Sequence, residues 1–123
     1  MIDHVSITVR DLAASVRFYE QVLGILGFTK LRDLPTTVGF GKEYPEFWLN
    51  HRPRMPTDLD TGSHVALRAR DRETVERFFA EALRLGATSD GAPHVRRETY
   101  YAAFIRDPDG NRIEAVTFLP NPK

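Results

Sequence analysis

The chain is written twice. Shifted by 60 positions, HVSITVRDLAASVRFYEQVL (4–23) lies over HVALRARDRETVERFFAEAL (64–83) with identity at 7 of 20 positions, among them His4/His64, Asp11/Asp71 and Phe18/Phe78. LGFT (26–29) returns as LGAT (85–88) at a shift of 59. Such a period marks one supersecondary unit used twice, so both halves must adopt the same fold. In a chain of 123 residues each copy has about 60, too few to close a stable core alone. A single domain is therefore expected: module one over 1–50, a connector over 51–62 with its prolines, aspartates and glycine, and module two over 63–123.

Within each copy the periodicity changes from two to about 3.6. Val5, Ile7 and Val9 alternate with His4, Ser6 and Thr8, which predicts a half-buried strand over 3–9. Asp11 then caps a helix over 12–24 whose apolar stripe is Leu12, Val16, Tyr19, Leu23 and Leu26, ended by Gly24 and Gly27. Short strands follow near 28–34, 37–42 and 46–51. Module two repeats the order: a strand over 64–70, the cap Asp71, a helix over 72–85 stopped by Gly86, and strands near 87–90, 100–106 and 112–118. The turn DPDG (107–110) joins the last two. The plan is βαβββ twice, an α+β fold.

If the apolar faces of the strands pack under the helices, His4 and His64 point to the other side of the sheet, as symmetry mates. Glu114 alternates with Ile113 and Ala115 and projects onto that same face. Two imidazoles and one carboxylate form a 2-His-1-carboxylate set with open positions for substrate, typical of Fe(II) oxygenases and compatible with Zn or Mn. The absence of cysteine removes thiolate ligands and thiol nucleophiles, leaving nitrogen and oxygen to hold any metal. Lys plus Arg and Asp plus Glu are equal at 17 each, so no net field attracts nucleic acid or an anionic membrane. No apolar stretch approaches a membrane span and no leader-like segment opens the chain, which makes a cytoplasmic location the expectation.

The start HVSITVRDL, its partner HVAL and the segment FIRDPDGNRIEAV (104–116) together resemble the vicinal oxygen chelate superfamily, also called the glyoxalase, bleomycin-resistance and dioxygenase superfamily. The resemblance covers the whole chain. It implies two βαβββ modules forming a curved mixed sheet around a cupped site, one divalent metal ion (Fe(II), Mn, Zn or Ni), a small-molecule substrate and a homodimer. It also implies metal ligands on the first and last strands of each module. His4, His64 and Glu114 match three of those positions, and Trp48 aligns with the fourth. Glyoxalase I takes a carboxylate there, so Trp48 speaks against lactoylglutathione lyase activity. Glu46 could serve only if the register differed by two. Type I extradiol dioxygenases resemble the chain in their His, His, Glu triad. Fosfomycin thiol transferases share it too, but their basic residues after the final ligand have no match in AVTFLPNPK (115–123). FGKEYPEFWLN (40–50) and GAPHVRRETYYAAF (91–104) are similar to segments of a branch of small members with no assigned reaction.

The expected function is metal-dependent chemistry on a vicinal-oxygen substrate, extradiol-dioxygenase-like or lyase-like. The alternative is a binding protein of the bleomycin-resistance type that sequesters a planar small molecule. Tyr101 and His94 are the candidates for proton transfer, because a phenol or imidazole within reach can act as acid or base; Tyr100 and Tyr101 alternate, so only one of them faces the cup. Trp48, Phe40 and Phe104 are assigned to core rather than to a substrate wall. Arg96 and Arg97, which could clamp a carboxylate, are assigned to solvated surface.

Overall fold

In a computed structural model, which describes residues 1–56 and 62–119, the predicted strand–helix order is present in both halves. The chain divides into two compact units, Met1–Leu59 and Asp60–Lys123. Residues 57–61 of the expected connector and the C-terminal 120–123 lie outside the described residues.

In the first unit, alternation makes β1 (Val5–Val9) two-faced, with Ile7 and Val9 buried and Ser6 exposed. Asp11 caps α1 (Leu12–Ile25), its carboxylate accepting the Ala14 N–H at 3.0 Å. The helix closes with the Gly27 N–H on Gly24 O and the Phe28 N–H on Leu23 O. Gly27 permits this because its φ is +90°. Gly24, expected to end the helix, lies inside it. Strands β2 (Thr29–Asp33), β3 (Thr37–Gly41) and β4 (Phe47–His51) complete a four-stranded sheet in the order β1-β4-β3-β2, with β1 and β4 parallel and the other pairs antiparallel. Tyr19, Leu23, Phe40, Phe47 and Leu49 are fully buried in this unit. Each contributes roughly 2 kcal/mol on leaving water.

The second unit repeats this plan. Strand β5 (Val65–Arg68) leads to α2 (Arg72–Arg84), then β6 (Thr88–Arg96), β7 (Tyr100–Arg106) and β8 (Arg112–Phe118), with sheet order β5-β8-β7-β6 and β5 parallel to β8. Asp71 caps α2 by accepting from the Thr74 hydroxyl at 2.6 Å and the Thr74 N–H at 2.8 Å. These two bonds, the hydroxyl first, hold its carboxyl below the usual range. Val75, Phe78 and Ala82 on α2 are buried, as are Ala103 and Ile105 on β7 and Ile113 and Ala115 on β8. Two four-stranded mixed sheets with one helix each make the expected α+β fold.

The last strand differs little from expectation, but β6 does. Gly91 and Pro93 suggest that it stops near residue 90, whereas pairing with β7 continues to Arg96 through register shifts between Ser89 and Gly91 and between Gly91 and His94. The ladder absorbs the breakers by bulging, as sheets do where Gly takes a positive φ, here +150°. The DPDG turn sets the start of β8. Buried Asp107 accepts from the Asp109 and Asn111 N–H groups at 2.9 and 2.8 Å and from the Asn111 side-chain amide at 3.0 Å. Among the described residues no helix is long and apolar enough to cross a membrane.

Candidate metal centre

The parallel pairing of β5 with β8 builds the polar end of the second unit. Val65 lies beside Ile113 and Ala66 beside Glu114. Because successive side chains alternate, Ile113, Ala115 and Thr117 turn to the buried α2 side and Glu114 turns the other way. His64, just before β5, shares the side of Ala66 and meets Glu114 diagonally. Its Nε2 is 3.0 Å from Glu114 Oε1. Glu114 is only 6% exposed, and a buried carboxylate requires a donor or a cation.

Phe104 on β7 lies directly across from Glu114. The His64 ring stands edge-on to it, with centroids 5.5 Å apart. The Arg112 guanidinium covers the same ring at 4.2 Å from its centroid. Arg112 is held by Asp90, Nε to Oδ2 at 2.5 Å, and Arg106 Nε reaches the same oxygen at 3.4 Å. Arg112 Nη1 also lies 3.5 Å from His64 Nδ1, a long contact.

In the first unit, His4 Nδ1–H donates to Asp3 at 2.7 Å. This fixes the proton on Nδ1 and leaves the Nε2 lone pair for a Lewis acid, the arrangement usual for metal-binding histidines. The register of β1 with β4 pairs Ser6 with Trp48, the match of Ala66 with Glu114 in the second unit. Trp48 therefore occupies the place of the carboxylate, as the sequence alignment expects, and Glu46 sits two positions earlier. Gly39 makes room for the indole, since a Cβ there would lie 3.0 Å from the Trp48 ring.

The donors that the second unit brings together suit a cation. Two ligands each about 2.1 Å from one metal and at right angles to each other are separated by about 3.0 Å. The His64–Glu114 distance thus serves a hydrogen bond or two adjacent coordination positions equally well. Among the described residues no group of three His, Asp or Glu side chains is gathered to hold a metal; the pair His64 and Glu114 is what the second unit contributes.

The two proton-transfer candidates part company. His94 pairs with Ala102, which pairs with Val116, so it lies on the Glu114 side of the sheet. Its Nδ1–H donates to Ala92 O at 2.9 Å, leaving Nε2 as a base. Tyr101, expected to face the cup, points to the opposite side. It pairs with Thr117, and its hydroxyl donates to Glu76 of α2 at 2.7 Å while Arg72 covers its ring at 4.2 Å. The hydrogen bond to Glu76, with burial behind it, holds the phenol above its ordinary value. Parity explains the correction: only one of Tyr100 and Tyr101 can share the face of Phe104, and pairing assigns that face to Tyr100. Phe40 is core as expected, whereas Phe104 borders the site. Sequence reasoning also gave no role to Arg112 and Asp90; the spacing of Arg112 and Glu114, two residues apart and so on one face of β8, was the available signal.

The sequence matches the model of the Glyoxalase/Bleomycin resistance protein/Dioxygenase superfamily over residues 1–115. A glyoxalase/bleomycin resistance protein from Albidiferax ferrireducens T118 is 30% identical, with a TM-score of 0.82 over 93% of this chain and 95% of that one. A glyoxalase/bleomycin resistance protein/dioxygenase family enzyme from Burkholderia phytofirmans PsJN is 22% identical at a TM-score of 0.78, over 96% and 98% of the two chains. Lactoylglutathione lyase from Agrobacterium tumefaciens shares the fold at 23% identity and a TM-score of 0.66, over 94% and 92%. The sequence has no significant match among curated proteins. A duplicated βαβββ plan, a family match over nearly the whole length and a structural relative at 30% identity agree, and the chain belongs to the glyoxalase/bleomycin resistance protein/dioxygenase superfamily.

Proposed function

We propose that the protein is a metal-dependent enzyme that takes a substrate with two neighbouring oxygen atoms, its divalent cation held by His4, His64 and Glu114. The observation that carries this reading is the buried Glu114 carboxylate 3.0 Å from His64 Nε2. The cation, when bound, supplies Lewis acidity to a bidentate oxygen substrate. Trp48 at the carboxylate's matching position leaves a His, His, Glu set rather than a four-ligand one. That favours extradiol-dioxygenase-like chemistry over the lactoylglutathione lyase type.

The chain's own residues have separable tasks. Asp3 orients His4 through Nδ1. Phe104 packs directly across from Glu114 and against the His64 ring, and it keeps water from one side of the carboxylate. His94, whose Nδ1 is turned to Ala92 O, presents Nε2 to accept the proton of a substrate hydroxyl. A homodimer is part of the same proposal.

Metal analysis by mass spectrometry on protein purified without chelator tests it. About one equivalent of a transition metal per chain is expected, falling at least tenfold in His64→Ala and in Glu114→Gln. No metal in the native protein, even after anaerobic loading with Fe(II) and with Mn(II), overturns the enzyme reading in favour of a small-molecule binding protein.

A further inference from the structure

Arg96 of β6 is a cation on the Glu114 side of the second unit that the metal-centred reading does not use. Its guanidinium lies 4.8 Å from the centroid of Phe104, the same ring that contacts His64 and Arg112. Arg112 has its carboxylate, Asp90. Arg96 has none among the described residues, and its Nε, closed to solvent, has no hydrogen-bond partner there. A guanidinium presents its donors as a fixed fork, and with only Nε closed to solvent the two Nη groups of Arg96 are the end of the fork that an acceptor can reach.

The seat of Arg96 is built. Between Gly91 and His94 two residues of β6, Ala92 and Pro93, face one of β7, Ala103, which lies between their partners Phe104 and Ala102. This bulge reverses the parity of the strand, so His94 and Arg96, rather than Val95, come to the Glu114 side. Gly91 itself is tight against the side chain: a Cβ there would stand 2.9 Å from Arg96 Nη2 and 3.3 Å from Phe104 Cδ1. Bulge, glycine and ring together hold the fork on the aromatic wall, one phenyl ring away from Glu114.

We infer that Arg96 is a substrate-binding residue that receives a carboxylate end-on through its two Nη groups, so that the substrate class is an anionic, carboxylate-bearing vicinal-oxygen compound. The inference rests on the proposed function only for the end of the substrate that reaches Glu114. The anion site itself needs no metal. Arginine suits the role because its planar fork matches a carboxylate with two parallel hydrogen bonds, which lysine cannot reproduce.

The test uses chelator-treated protein and benzoate, a carboxylate that does not chelate. Isothermal titration calorimetry is expected to show benzoate binding that weakens at least tenfold in Arg96→Gln, with only partial rescue in Arg96→Lys, and that persists within about twofold in Arg84→Gln, which removes a guanidinium on α2 paired with Glu81. Benzamide, the uncharged isostere, is expected not to bind. A measurement on the unaltered protein guards against misfolded variants: the Arg96 Nε–H resonance in nitrogen-15 spectra is expected to shift on adding benzoate and not on adding benzamide. Absence of benzoate binding, equal binding of benzamide, or an Arg96 resonance unmoved at saturation overturns the inference. Loss of metal binding with benzoate binding intact would remove the enzyme reading and leave this site standing; the converse result would remove this site alone.

Discussion

Glu114 and Trp48 hold the same place in two copies of one plan, a carboxylate in one unit and an indole in the other. The shared face of His64 and Glu114 was legible because a period of two assigns side chains to faces from the sequence alone. Tyr101 was not, since alternation gives parity but not sign: YYAAF puts one tyrosine on each side, and only the pairing of Phe104 with Glu114 says which side is which. Its hydroxyl instead ties β7 to Glu76 of α2. Tyr101→Phe is expected to cost about 1 kcal/mol in urea denaturation, the usual worth of one such bond, and to leave metal content unchanged. A variant of unaltered stability that lost its metal would return Tyr101 to the site.

At the scale of elements, most boundaries came out within a residue or two, because caps and helix ends are local devices. Asp11 and Asp71 accept from N–H groups three residues on, and Gly27 and Gly86 supply positive φ after the helices. The exception, β6, is extended by partners in β7 that lie close in the fold but are invisible to a local reading of Gly-Ala-Pro. Its hairpin to β7 carries a second irregularity. Arg97 and Glu98 both have positive φ, +52° and +61°, and the Thr99 N–H closes on Arg96 O at 3.1 Å. That is the φ pair of a turn ordinarily served by Asn-Gly. The double substitution Arg97→Asn with Glu98→Gly is therefore expected to stabilise the protein by about 1–2 kcal/mol, read as a higher urea midpoint at constant slope. A lower midpoint would mean that these side chains hold the hairpin by contacts that outweigh their backbone strain.

For the whole molecule, the repeat carries the argument. Each unit has the same strand order, the same parallel closure and the same capped helix, and the family match spans both. The proposed homodimer is expected to elute in light-scattering chromatography at about twice the 14.0 kDa chain mass. A monomer mass across a hundredfold range of concentration would remove the dimer from the proposal and leave the ligand set to one chain. The sequence by itself determined the duplicated βαβββ plan, the capped helices and the shared face of His64 and Glu114, because each depends on periodicity or on neighbours a few residues away. Only the tertiary structure decided that Tyr101 faces α2 and that a bulge carries Arg96 onto Phe104. Strand register and strand bulges are settled by partners distant in sequence, and one residue of slip sends every side chain to the other face.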